Sequence, residues 1–217
     1  MKQEELQAIA SQLKHPTGEK GIEMANMMHE TNINMTRNSI RNLNIESRNS
    51  ILELGHGNAG HVEFVFEQAK NIKYYGLEMS ELMFQEARKI NRNYVSQKKA
   101  FFSLYDGNVI PFQDEYFNKA FTVNTIYFWQ EPEKLLSEIY RVLKPKGIFC
   151  ITFADESFMK QLPFTQFDFE LYTTPKAEKL MEKTSFKIIN KETLTEKVKT
   201  KTGELVDRDF TTLVLEK

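Results

Sequence analysis

Between Ser50 and Phe153 the chain alternates short apolar runs with amphipathic stretches, and few folds satisfy that alternation. The pattern predicts strands at Ser50–Leu54, Ile72–Glu78, Ala100–Leu104, Lys119–Asn124 and Ile148–Phe153. It predicts helices over Gly60–Lys70, from Ser80 to about Tyr94, and over Glu133–Leu143. The last sets Leu135, Leu136, Ile139, Tyr140 and Leu143 on one face, and Ser80 is an expected N-cap. Apolar strands separated by helices imply a parallel sheet covered on both faces, hence an α/β fold. Lys144-Pro145-Lys146-Gly147 is expected to be a turn into the fifth strand. Phe186–Leu194 and Phe210–Leu215 read as two more strands with no helix between them, joined by a turn at Thr202-Gly203-Glu204. They should form an antiparallel pair at the sheet's edge, giving seven strands in all.

Ahead of the alternation, Leu6, Ile9, Ala10 and Leu13 mark one face of a helix, and His15-Pro16-Thr17-Gly18 breaks it. A second helix is expected from about Glu19 to Leu43, with Met24, Met27 and Met28 on one side. Residues 1–45 are therefore expected to form an N-terminal helical cap, and 46–217 the main domain.

Composition narrows the function. The chain has 217 residues and one cysteine, so no disulfide framework, redox cysteine pair or cysteine-rich metal site is expected. Lys and Arg total 29 against 30 Asp and Glu, a balance that argues against a nucleic-acid surface. The charged, amphipathic start does not resemble a secretory signal, and no apolar run approaches the ~20 residues of a membrane span. The expectation is a soluble, cytoplasmic protein with no metal.

Three of the nine glycines fall between Gly55 and Gly60, directly after the first strand of the alternation. Ligands of open α/β sheets bind at the carboxyl ends of the strands, and glycine there lets a ligand approach the backbone. The string Gly55-x-Gly57-x-x-Gly60 matches a dinucleotide fingerprint, so an NAD(P)-dependent oxidoreductase is one reading. Glu53, two residues before the loop, speaks against a pyrophosphate and for a ligand with a cationic amine. Glu78 ends the second strand, where an acidic side chain can accept both hydroxyls of a ribose. Met79 could pack on a flat base, and Asp106-Gly107 after the third strand could read its edge, although Asp-Gly is also a common turn.

Taken together, ILELGHGNAGHV, YYGLEMS, the Asp106-Gly107 segment leading into VIPFQDEYFNKAF, VNTIYFW and RVLKPKGIFCITF resemble the class I S-adenosylmethionine-dependent methyltransferases. The likeness is to the group that includes the ubiquinone/menaquinone-biosynthesis enzymes. The resemblance implies a Rossmann-like sheet and S-adenosyl-L-methionine as cofactor. It places Glu53, Gly55 and Gly57 at the cofactor's methionine end, Glu78 on its ribose, and Met79, Asp106 and Gly107 at its adenine. Asn124 would face the sulfonium. Ala59 stands where many members have glycine, and Phe117-Asn118 replaces a usual Phe-Asp that is more often structural.

The implied partner is a small-molecule methyl acceptor, apolar or aromatic, with transfer driven by proximity and alignment. A base is required only if the acceptor must lose a proton. His15, His29, His56 and His61 are the histidines available. His56 is nearest the loop, though as a spacer within it the ring is expected to point away. His61 is expected in solvent at a helix start. Tyr127 is the better pocket candidate, so Tyr127 and His56 are the catalytic candidates. Tyr127, Trp129, Phe164 and Phe167 are candidate acceptor contacts, and the methionines of the second helix a candidate cover. A non-catalytic scaffold that binds the cofactor is the third reading. Cys150 is expected to be buried and idle in the fifth strand.

Overall fold

The computed structural model describes residues 2–199 and 205–217. Its core is a seven-stranded sheet built from β1 (Ser50–Leu54), β2 (Lys73–Glu78), β3 (Ala100–Leu104), β4 (Phe117–Val123), β5 (Leu143–Ala154), β6 (Lys187–Lys199) and β7 (Leu205–Glu216). The strand order is β3-β2-β1-β4-β5-β7-β6. Strands β1 to β5 are parallel, while β7 runs antiparallel to both β5 and β6. The reversal of direction therefore falls one strand inside the edge, and β6 is the edge strand.

Successive side chains of a strand face opposite sides of the sheet, and β1 shows what each side holds. Ile51 joins Tyr74, Phe121 and Cys150 in one core, and Leu52 and Leu54 join Leu77, Leu136 and Ile139 in the other. Helices α3 (Val62–Gln68), α4 (Glu81–Ile90), α5 (Arg92–Ser96), α6 (Pro132–Val142), α7 (Glu156–Met159) and α8 (Thr174–Met181) connect the strands. Ser80 caps α4 through its side chain, which accepts from Met83 N at 3.3 Å. The expected single helix to Tyr94 is interrupted at Asn91. Its side-chain amide donates to the carbonyls of Ala87 and Ala59, both at 3.0 Å, and competes with the helical ladder.

Two more expectations are corrected. Lys144–Gly147 is not a turn between separate elements: α6 runs straight into β5, and the four residues lie within that strand. Phe117 pairs with Leu143 and Lys119 with Ile148, so the segment bulges out of register. It is held by Lys217, whose carbonyl accepts from Lys146 N at 3.1 Å and whose N–H donates to Gly147 O at 3.0 Å. Strands β6 and β7 are also longer than expected. The expected turn at Thr202-Gly203-Glu204 lies outside the described residues.

Helices α1 (Gln3–Lys14) and α2 (Gly18–Asn42) precede the sheet. Fully buried Met35, Ile40 and Leu43 tie this segment into the two cores. Its other anchor is polar. Asn38 and Asn42 donate to Glu192, Asn34 donates to Glu196, and buried Arg208 bonds Asn32, Thr31 O and Glu196. This seam bolts α2 to the β6–β7 hairpin.

Candidate active site

The strand order reverses between β1 and β4, and the crevice outside their carboxyl ends is the expected ligand site of such a sheet. A cavity of about 420 Å³ lies there, reached by the loops after β1, β2, β3 and β4 and covered by α1 and α2.

The loop after β1 is shaped by its neighbours. Gly55 has φ +70°, and a Cβ there would meet Thr125 Cγ2 at 2.5 Å. Only glycine combines that backbone with so close an approach of the loop after β4. Gly57 also has positive φ but faces open space, and its N–H donates to Glu78 Oε2 at 3.0 Å. Ala59 keeps φ +52° although it is not glycine, and is fully buried. Asn58 donates to Asn26 of α2 at 3.1 Å and accepts from Gly60 N at 3.1 Å, so the loop is tied to the helix above it.

Glu78 is nearly buried, and backbone donors surround its carboxylate. Oε1 accepts from Met79 N at 2.8 Å and Ser80 N at 3.1 Å, while Oε2 takes Gly57 N–H. Met79 is 47% exposed, and its sulfur lies where a Cβ on Gly107 would be 2.8 Å away, so the two form one wall. Asp106 Oδ1 accepts from Asn108 N and Val109 N, both at 2.8 Å, and these bonds hold its carboxyl below the usual range.

On the β4 side, Asn124 lines the cavity with φ +57°. Its side chain is engaged below: Oδ1 accepts from Tyr127 OH at 3.0 Å and Ala154 N at 3.2 Å. Trp129 lines the cavity and donates through Nε1 to Thr125 Oγ1 at 3.1 Å. Tyr127, Phe164 and Phe167 are not among the described lining residues. Tyr127 is 3% exposed, its hydroxyl lies between Asn124 Oδ1 and Ala154 O, and burial pushes its pKa up. Phe164 sits behind Phe169, which in turn packs on Phe128 of the cavity wall.

The histidines differ most from expectation. His61 is not in solvent: it is 7% exposed, with Nε2 2.7 Å from Glu53 Oε2. Tyr74 OH donates to the same oxygen. Glu53, 2% exposed, lines the cavity while bracing two side chains beneath it. A carboxylate buried at a strand end needs such partners, and burial and Glu53 together push the Tyr74 phenol up. The His56 ring packs edge-on against Phe102 at 5.0 Å and over Gly76, with Nδ1 2.7 Å from Gly57 O. Burial lowers its pKa, and Nε2 has no partner among the described residues. His56 and His61 line the cavity from the loop after β1, whereas His29 reaches it from α2, a placement no local pattern announces.

The donor set suits a cationic ligand. Glu53, Glu78 and Asp106 share one cavity, and the Gly57 N–H that a pyrophosphate would need already serves a carboxylate. Residues 52–151 match the model of a methyltransferase domain. The chain is 28% identical over 129 residues to the uncharacterized methyltransferase YdaC of Bacillus subtilis (strain 168), covering 58% of this chain and 67% of YdaC. It is 27% identical over 127 residues to the putative methyltransferase YrhH of that organism, covering 58% and 69%. A solved S-adenosylmethionine-dependent methyltransferase from Aquifex aeolicus shares the fold, with 16% identity, TM-score 0.67 and coverage of 96% and 97%. Residues 52–151 are thus a methyltransferase domain, set in the fold of the class I S-adenosylmethionine-dependent methyltransferases, and S-adenosylmethionine is the cofactor these matches indicate. The narrower likeness to quinone-biosynthesis enzymes remains an expectation of the motifs.

Proposed function

We propose that this methyltransferase acts on a small, neutral, aromatic or apolar acceptor. The observation that carries the reading is the wall formed by Phe128 and Trp129 with Met28 of α2, in which Asn32, Thr36 and Gln130 are the uncharged polar members. Flat, apolar walls with a few neutral polar groups favour such a molecule over a phosphate-rich one. Among the described lining residues Lys14 is the one lysine or arginine, and the chain's net charge of -1 supports the same choice.

S-adenosylmethionine, when bound, supplies a methyl group already activated by its sulfonium. The chain's task is to hold and align. Glu53, Gly55 and Gly57 take the methionine end, and Glu78 the ribose hydroxyls. Met79, Asp106 and Gly107 frame the adenine, and Asn124 bounds the transfer point. Trp129 orients the acceptor. Tyr127 fixes Asn124 from below, and Phe164 backs the aromatic wall through Phe169.

Incubation with methyl-deuterated S-adenosylmethionine and a panel of neutral phenols, quinols and apolar acids tests this, read by mass spectrometry. Labelled product from the aromatic members is expected. Label found only in added RNA or protein would refute the acceptor class.

A further inference from the structure

The cavity's acids are easier to explain than its bases. A bound methionine end presents an ammonium and a carboxylate, and the carboxylate must be accepted among Glu53, Glu78 and Asp106. Two of the cavity's histidines are placed otherwise: His61 is engaged with Glu53, and His56 meets the carbonyl of Gly57 through Nδ1 while its unpartnered Nε2 is shut away from open space. Among the described residues, neither ring nitrogen of His29 has a hydrogen-bond partner, although the ring lines the cavity.

The seat of His29 is built into the glycine loop. Gly60 has an ordinary backbone, so conformation does not require glycine there. Space favours it: a Cβ on Gly60 would lie 3.0 Å from both Cε1 and Nε2 of His29, and the ring would have to give by a few tenths of an ångström. The ring stacks on His61, with centroids 6.4 Å apart and planes inclined by 24°. One turn earlier on α2, Asn26 accepts from Asn58 and fixes the helix on the same loop. The third glycine thus admits an imidazole from the cap to the end of the cavity that the loop forms.

We propose that His29 grips the carboxylate of the cofactor's methionine end and so couples cofactor binding to the seating of α2 on the glycine loop. This rests on the assignment of that loop to the methionine end. The groups facing the ring are His61 at the start of α3, Glu53 behind it on β1, and Glu30 and Arg37 on α2 itself. Burial lowers the His29 pKa below 6.5, His61 and Arg37 act in the same direction, and Glu30 opposes them. A ligand carboxylate beside the ring raises it again. Binding then takes up a proton, and affinity for a carboxylate-bearing ligand rises as pH falls toward the imidazole range.

Calorimetry with two probes tests the grip: S-adenosylhomocysteine, and S-adenosyl-thiopropylamine, which keeps the amine and lacks the carboxylate. Wild-type protein should prefer the carboxylate ligand by about tenfold, with the preference growing from about pH 8 to about pH 6. His29→Ala and His29→Gln should abolish both the preference and its pH dependence, leaving binding of the decarboxylated probe within about twofold, which also reports correct folding. Equal weakening of both ligands would mean a purely structural histidine and overturn the proposal. So would no wild-type preference, or a preference lost in Lys14→Gln and kept in His29→Gln. Wild-type protein that binds neither ligand would instead overturn the cofactor site itself.

Discussion

Glu53 and Glu78 end neighbouring strands, open into the same cavity and are nearly equally buried, yet they are held in different ways. Glu53 is met by two side chains, His61 and Tyr74, and Glu78 by the backbone N–H groups of three residues. The first arrangement braces the floor beneath the glycine loop from within. The second sets the shape of the loop's rim and keeps the carboxylate's remaining lone pairs toward a ligand. Position on the sheet therefore does not decide an acid's work; the chemistry of its donors does.

The largest effect should come from Glu53→Ala. It strands two buried donors, each costing ~1–3 kcal/mol, so stability should fall by about 4 kcal/mol in urea unfolding. Glu78→Ala frees three backbone donors, of which those of Gly57 and Met79 lie on partly exposed residues that water can reach, so its unfolding loss should be no more than half as large. Equal losses would erase the distinction between the two acids.

Next come the glycines. Gly55→Ala faces both a positive φ and the Thr125 methyl, and should lower stability by about 3 kcal/mol. Gly57→Ala faces the φ penalty alone, about 1 kcal/mol. Pairing Gly55→Ala with Thr125→Ser removes the obstructing methyl and should return the steric part, bringing the two glycines level.

For the ligand, Glu78→Ala should weaken S-adenosylhomocysteine by about 2 kcal/mol, within the ~1.5–3 kcal/mol expected for hydrogen bonds to a charged group. An unchanged dissociation constant would remove Glu78 from the ribose. The smallest effect belongs to Asp106. Its folded pKa is depressed below 3.8, so its stabilisation is complete above that value and is lost as pH falls through the folded pKa. Asp106→Asn should flatten the acid side of a melting-temperature profile by lowering the neutral-pH value slightly, while leaving the value below the folded pKa unchanged.

Much of this architecture was legible because its signals are local. Apolar runs marked the strand cores, Ser80 marked its helix, and acids at strand ends marked the cavity. What escaped depends on distant partners. Pro145 and Gly147 look like a turn until Lys217 is seen holding them in a bulge. The outer half of β6 is rich in lysine and glutamate, which lowers strand propensity, but Glu192 and Glu196 are spoken for by asparagines of α2. His61 has no neighbouring cue for Glu53 and Tyr74. Tyr127 looked like a pocket residue by spacing, but the 3₁₀ turn over Ile126–Phe128 turns it under Asn124.

The contact between Gly60 and His29 has an evolutionary consequence. Two positions separated by 31 residues crowd one another, so the small residue at one should favour the ring at the other. Among relatives, a histidine at the place of His29 should travel with glycine at the place of Gly60. Where a smaller residue replaces the histidine, the glycine loses its steric reason and is free to drift. A glycine that looks like part of a ligand fingerprint would then record the history of the helix above it.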